Sequence, residues 1–114
     1  MNILTELTAL LQALSLPVET GVFSGVAPDE YVVVTPLIDD FLLFGDDRPE
    51  YESQEARLSL YSKGNYLEMK ATVQQALLTG DYTITERRYL GHEDDTRYHH
   101  YYFDCSRIYA IGGK

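Results

Sequence analysis

The sequence predicts an α+β fold: a mixed, mostly antiparallel sheet of four to five strands with two helices packed on it, in the order α-β-β-(β)-β-α-β-β. Three observations in the second half lead there. QEARLSLYSKG alternates strictly, with Gln54, Ala56, Leu58 and Leu60 on one side and Glu55, Arg57, Ser59 and Tyr61 on the other, the two-residue period of a half-buried strand. GNYLEMKATVQQALLTG then switches to helical spacing. DYTITERRYLG and RYHHYYFDCSRIYAI return to strand character around a polar connection, which makes a long hairpin. At 114 residues the chain is expected to form a single domain over 1–114 with a modest core.

The elements follow in order. Ile3, Leu7, Leu10, Leu11 and Leu14 form one apolar stripe of a first helix, with Asn2 as N-cap and Glu6 near its positive end. Pro17 ends that helix. Val18 to Phe23 reads as a first strand stopped by Ser24-Gly25, and Ala27-Pro28-Asp29 as a turn. Glu30 to Leu37 has the strongest β propensity in the chain and reads as a central strand, with Pro36 marking a sheet edge or the end of the ladder. Phe41-Leu42-Leu43-Phe44, set between acids, is either a brief strand or the apolar tip of a loop. A strand over Glu52 to Tyr61 follows Arg48-Pro49. The second helix starts at the N-cap Asn65, with Glu68 at a capping-box spacing. It buries Tyr66, Met69, Val73, Ala76 and Leu77, and ends on a C′ glycine, Gly80. The hairpin strands are Asp81 to Leu90 and Arg97 to Ile111, and the connection through the second helix allows one parallel pair.

Composition narrows the function classes. The net charge of −9 argues against a protein that grips nucleic-acid phosphates, though not against one that DNA merely passes. The charge is uneven: from Asp39 to Glu55 there are seven acids against Arg48 alone. Such a stretch is either a solvated loop or a repulsive, partner-facing surface. Ten tyrosines and no tryptophan suit half-buried strands and wet interfaces. The single cysteine, Cys105, excludes an internal disulfide and reads as a small core residue. The N-terminal segment lacks the basic n-region of a signal peptide, and no apolar run is long enough to span a membrane.

Catalytic chemistry finds little support. His92, Glu93, Asp94, Asp95, His99 and His100 crowd nine positions, but neighbouring strand residues face opposite sides, so His99 and His100 cannot join one site. Cys105 lies too far along its strand from His99 for direct contact. Nucleotide-binding, nucleophile-elbow and CxxC patterns are missing from the sequence. No catalytic residue, cofactor or metal is expected, and an enzyme is the weakest reading. Phe41, Leu42, Leu43 and Phe44, an apolar run rimmed by charge, are either ordinary core residues or candidates for a subunit interface. The hairpin tyrosines Tyr98 and Tyr101 join them, as do Arg87 and Arg88, which suit acids of a neighbouring subunit or of this chain rather than nucleic acid. Asp46, Asp47, Glu50 and Glu52 form the candidate acidic loop facing a lumen or partner.

One resemblance carries a role. Across SLYSKGNYLEMKATVQQALLTGDYTITERRYLGHEDDTRYHHYYFD, and back through LPVETGVFSGVAPDEYVVVTPL, the chain resembles tail terminator, or tail completion, proteins of long-tailed bacteriophages and prophages of Gram-positive bacteria. The resemblance covers most of the chain but rests on fold-spanning segments, so it transfers a role and no site residues. It implies a small α+β subunit of a ring, typically a hexamer, at the head-proximal end of the tail. Its implied partners are other copies of itself, the tail tube protein and the head–tail connector, with DNA passing unbound and no membrane. The implied location is the neck of a virion assembled in the bacterial cytoplasm. The alternatives are another neck component, such as a head-closure or joining protein, and a small cytoplasmic binding module.

Overall fold

A computed structural model describes residues 2–20, 28–42 and 50–111. Two helices, α1 (Ile3–Ala13) and α2 (Tyr66–Thr79), accompany five strands: β1 (Val18–Thr20), β2 (Glu30–Leu42), β3 (Tyr51–Ser62), β4 (Thr83–His92) and β5 (His99–Ala110). The strands form one mixed sheet in the order β1-β2-β3-β5-β4, so the fold is α+β as expected. Every pair is antiparallel except β1 with β2. The parallel pair therefore lies before β3, not across α2. The hairpin strand β5 inserts between β3 and β4 and separates the two strands that α2 connects.

Both helices cover one face. Ile3, Leu7 and Leu11 of α1 and Met69, Val73 and Leu77 of α2 are buried against Val32, Val34, Ala56, Leu58, Leu60, Phe103 and Cys105. These are the residues of one strand parity: Leu58 stands opposite Val34 and Phe103, and Leu60 opposite Val32 and Tyr101. The alternation in β3 thus sorts side chains as predicted. Leu10, Leu14, Tyr66 and Ala76 are only half-buried at the rims of the two stripes.

The helix ends are capped. Asn2 Oδ1 accepts the Thr5 amide at 2.8 Å, and Asn65 Oδ1 accepts the Glu68 amide at 3.3 Å. The α1 start is also tied to the sheet, because the Ile3 amide donates to buried Gln54 Oε1 at 2.8 Å. Gly80 does not adopt the left-handed conformation expected of a C′ glycine; its φ is −83°, and Asp81 takes the left-handed place with φ 64°. Gly80 fits for a steric reason, since a Cβ there would come within 3.1 Å of the Tyr82 ring. Likewise Ser15, with φ 62°, makes the turn after α1 ahead of Pro17.

One boundary differs by several residues from the sequence reading. β2 does not end at Leu37 but runs on to Leu42, with a register irregularity between Pro36 and Asp39. Proline is tolerated because, among the described residues, β1 pairs with β2 only from Val32 to Val34, leaving the outer side of Pro36 without a ladder partner. Phe41 and Leu42 consequently belong to β2, opposite Glu52 and Tyr51. The predicted continuation of β1 to Phe23, together with Leu43, Phe44, Asp46 and Asp47, lies outside the described residues.

Strand length shapes the molecule. Thirteen residues of β2 span about 43 Å at the usual rise. The fourteen of α2 span about 21 Å. The helices cannot cover the sheet from end to end, and the subunit measures 53 × 25 × 23 Å. The uncovered end is an arm made of the β2 end, the β3 start and the β5 end.

Candidate functional site

The sheet face opposite the helices is lined by polar and aromatic side chains. Tyr31, Tyr61 and His100 occupy one row across β2, β3 and β5. Tyr31 stacks on Tyr61 with ring centroids 4.7 Å apart, and Tyr61 on His100 at 4.2 Å. Tyr98 meets Tyr31 and Tyr61 edge-on and donates its hydroxyl proton to the Pro28 carbonyl at 2.6 Å. Burial raises the pKa of Tyr31 and Tyr61 and lowers that of His100, whose Nε2 is buried without a hydrogen-bond partner among the described residues. These rings hold one another in place.

Two rows along the same face, Arg57 forks onto Asp104: Nε donates to Oδ1 at 2.8 Å and Nη2 to Oδ2 at 3.0 Å. The guanidinium lies 4.0 Å from the Tyr102 ring centroid. On the helix side, Glu6 accepts from the hydroxyls of Tyr109 at 2.6 Å and Tyr82 at 3.3 Å, with Arg107 3.6 Å away. Burial, then the bond to Glu6, pushes the Tyr109 pKa up. Sequence reasoning saw Glu6 only as a helix-dipole residue. Its tyrosine partners lie 76 and 103 positions away, and no local signal identifies them.

The hairpin histidines separate as their parity requires. His99 faces Tyr66, Tyr89 and His92 on the helix side, with the Tyr89 hydroxyl 3.0 Å from His99 Nδ1, whereas His100 faces Tyr61. His92 Nδ1 lies 3.5 Å from Asp94. Among the described residues no three His, Cys, Asp or Glu side chains converge as metal ligands. Cys105 is buried, and burial pushes its thiol up to about 12, followed in effect by Asp104 and Glu55. That is the opposite of an activated nucleophile.

An apolar groove of about 660 Å³ runs between the helices, lined by Leu10, Leu14, Ala71, Thr72, Gln75 and Ala76 among others. No titratable side chain lines it among the described residues. Among the described residues no helix is long and apolar enough to cross a membrane.

The predicted interface residues divide into three groups. Tyr98 and Tyr101 are buried within the subunit, Tyr101 in the core and Tyr98 under Tyr31 and Tyr61, so as placed they offer no contact surface. Strand parity alone did not reveal that Tyr98 folds back onto its own face. Phe41 is 68% exposed on the arm, and Leu42 is half-buried beside it. Arg87 and Arg88 are exposed on β4, an end strand of the sheet. Arg87 points to the helix side, where Nη1 donates to Gln74 Oε1 at 2.6 Å, and Arg88, opposite Tyr102, points to the other. Of the acidic group, Glu50 is exposed, and half-buried Glu52 accepts from Gln54 Nε2 at 3.0 Å. The arm also exposes Ile38 (56%) and Ile108 (61%), which the sequence reading did not single out. Apolar side chains at this density on a projecting end make a contact surface the best-supported site.

No protein-family model matches the chain, and no curated protein matches it.

Proposed function

We propose that this chain is a structural subunit of a phage neck: a tail terminator that assembles into a ring, expected to be a hexamer, on the head-proximal end of the tail tube. There it stops tube polymerisation and presents a surface to the head–tail connector. The observation that carries the reading is the arm, which exposes Ile38, Phe41 on the helix side of the sheet and Ile108 on the other, beside the acids Asp39, Asp40 and Glu50. Apolar residues with an acidic rim suit contact between subunits, and a net charge of −9 suits a ring that DNA slides through without sticking. The resemblance along the strand–helix–hairpin segment supplies the specific role.

Deleting the gene and imaging the lysate tests it. Tails of uncontrolled length are the expected result. Tails of normal length beside heads that fail to join would overturn the terminator role and move the chain to head closure or joining. Unchanged virions would remove it from the neck altogether.

A further inference from the structure

Among the described residues the sheet has two uncovered edge runs of opposite charge. β4 closes one end of the strand order, and its outer side has no partner among the described residues. Register irregularities fall between Ile84 and Glu86 and between Tyr89 and Gly91, leaving Glu86–Tyr89 as one regular run. On the other side, β2 regains regular pairing with β3 at Asp39–Leu42 after its own irregularity, and among the described residues no strand covers its outer side there. Both runs are four residues long, and both are solvent-facing except half-buried Leu42. Among the described residues, neither Arg87 nor Arg88 has a carboxylate partner, and neither Asp39 nor Asp40 has a cationic one.

We propose that Glu86–Tyr89 of one copy pairs antiparallel with Asp39–Leu42 of the next, continuing the sheet from subunit to subunit. Strand direction supports this. β2, β3, β5 and β4 alternate, so β4 runs opposite to β2, and a neighbour that extends the sheet in the same sense meets β4 with an antiparallel β2. The faces agree as well. Asp40 is opposite Ser53 and Arg88 opposite Tyr102, both on the side away from the helices; Phe41 is opposite Glu52 and Arg87 opposite Phe103, both on the helix side. Setting Asp40 across from Arg88 puts Phe41 across from Arg87 and Asp39 diagonal to Arg87. That gives a charge pair, a cation over an aromatic ring and a second charge contact within reach.

Charge also selects the symmetry. A two-fold pairing of β4 with β4 centred on this run sets arginines against arginines, and one of β2 with β2 sets aspartates against aspartates, both unfavourable. The heterologous, head-to-tail arrangement alone matches opposite signs, and such contacts close into rings when the rotation allows. The pairing rests on the ring reading above and names the edges that would close the ring.

Charge reversal and cross-linking test it. The wild-type chain is expected to self-associate in sedimentation experiments. The Arg87→Glu/Arg88→Glu and Asp39→Arg/Asp40→Arg variants, all altered at exposed positions, are each expected to associate at least about tenfold more weakly. Mixing the two should restore assembly, because each variant then offers the other an opposite edge. Independently, the Asp40→Cys/Arg88→Cys variant should form intermolecular disulfides on mild oxidation, with buried Cys105 standing aside. A wild-type chain that stays monomeric at every concentration overturns both the ring and the pairing. Rings that survive both charge reversals, with no cross-link, overturn the pairing alone. Cross-linked open chains that never close uphold the pairing and sink the ring.

Discussion

Arg57 and Asp104 meet fork to fork across β3 and β5, with both guanidinium–carboxylate bonds at 3.0 Å or less and Asp104 only 5% exposed. The pair holds the middle of the helix-free face, and the bond to Asp104 raises the Arg57 pKa. Replacing Asp104 with Ala leaves a cation without its partner and should cost about 1–2 kcal/mol, the lower part of the range for charged hydrogen bonds because Arg57 is partly solvated. Replacing both residues with apolar ones (Arg57→Met with Asp104→Leu) should recover most of the loss. Urea unfolding of the two variants and the parent chain checks this. A double variant as unstable as Asp104→Ala would show that the pair is not the cause.

His100 should make stability pH-dependent. Burial lowers its pKa from 6.5, so the unfolded chain binds a proton at a pH where the folded chain does not. Its contribution is complete above that ordinary value and is lost as the pH falls through and below it. His100→Phe keeps an aromatic ring to stack on Tyr61 and removes the proton. Between about pH 7.5 and about pH 5 the variant should lose less stability than the parent chain. Equal slopes in denaturation midpoint against pH would refute this.

Cys105 should be silent in the folded protein. Its thiol, raised to about 12 by burial, is neither accessible nor ionised near neutrality. A thiol reagent at about pH 8 should label the native chain at least about a hundredfold more slowly than the urea-unfolded one. Fast labelling of the folded chain would mean that β5 opens readily.

The core and the helix exteriors should respond differently to truncation. Leu58 and Phe103 are fully buried beneath the helices. Leu58→Ala should cost about 2–5 kcal/mol and Phe103→Ala about 3–5 kcal/mol. Leu67, 56% exposed on α2, should change stability by no more than about 0.5 kcal/mol when cut to Ala. Denaturant midpoints at constant slope measure all three. A Leu67→Ala loss near that of Leu58→Ala would show that the outer side of α2 is covered in solution, for instance by another copy.

Local signals in the sequence determined the element types, the two asparagine caps, the buried parity of β3 and the separation of His99 from His100. Each depends on neighbours within a few positions, where periodicity and capping chemistry act. Tertiary structure alone decided which strands pair. β5 took the place between β3 and β4, the parallel pair fell at β1 and β2, and Pro36 sat within a strand, its outer side without a ladder partner among the described residues. It also decided the candidate surface. Tyr98 and Tyr101 went inside because rings and helices elsewhere in the chain cover them, while Phe41 stayed outside because β2 outruns the helices and Ile108 because it lies on the face that the helices leave bare. Exposure depends on what distant segments pack against, and residue type and spacing along the chain do not encode that.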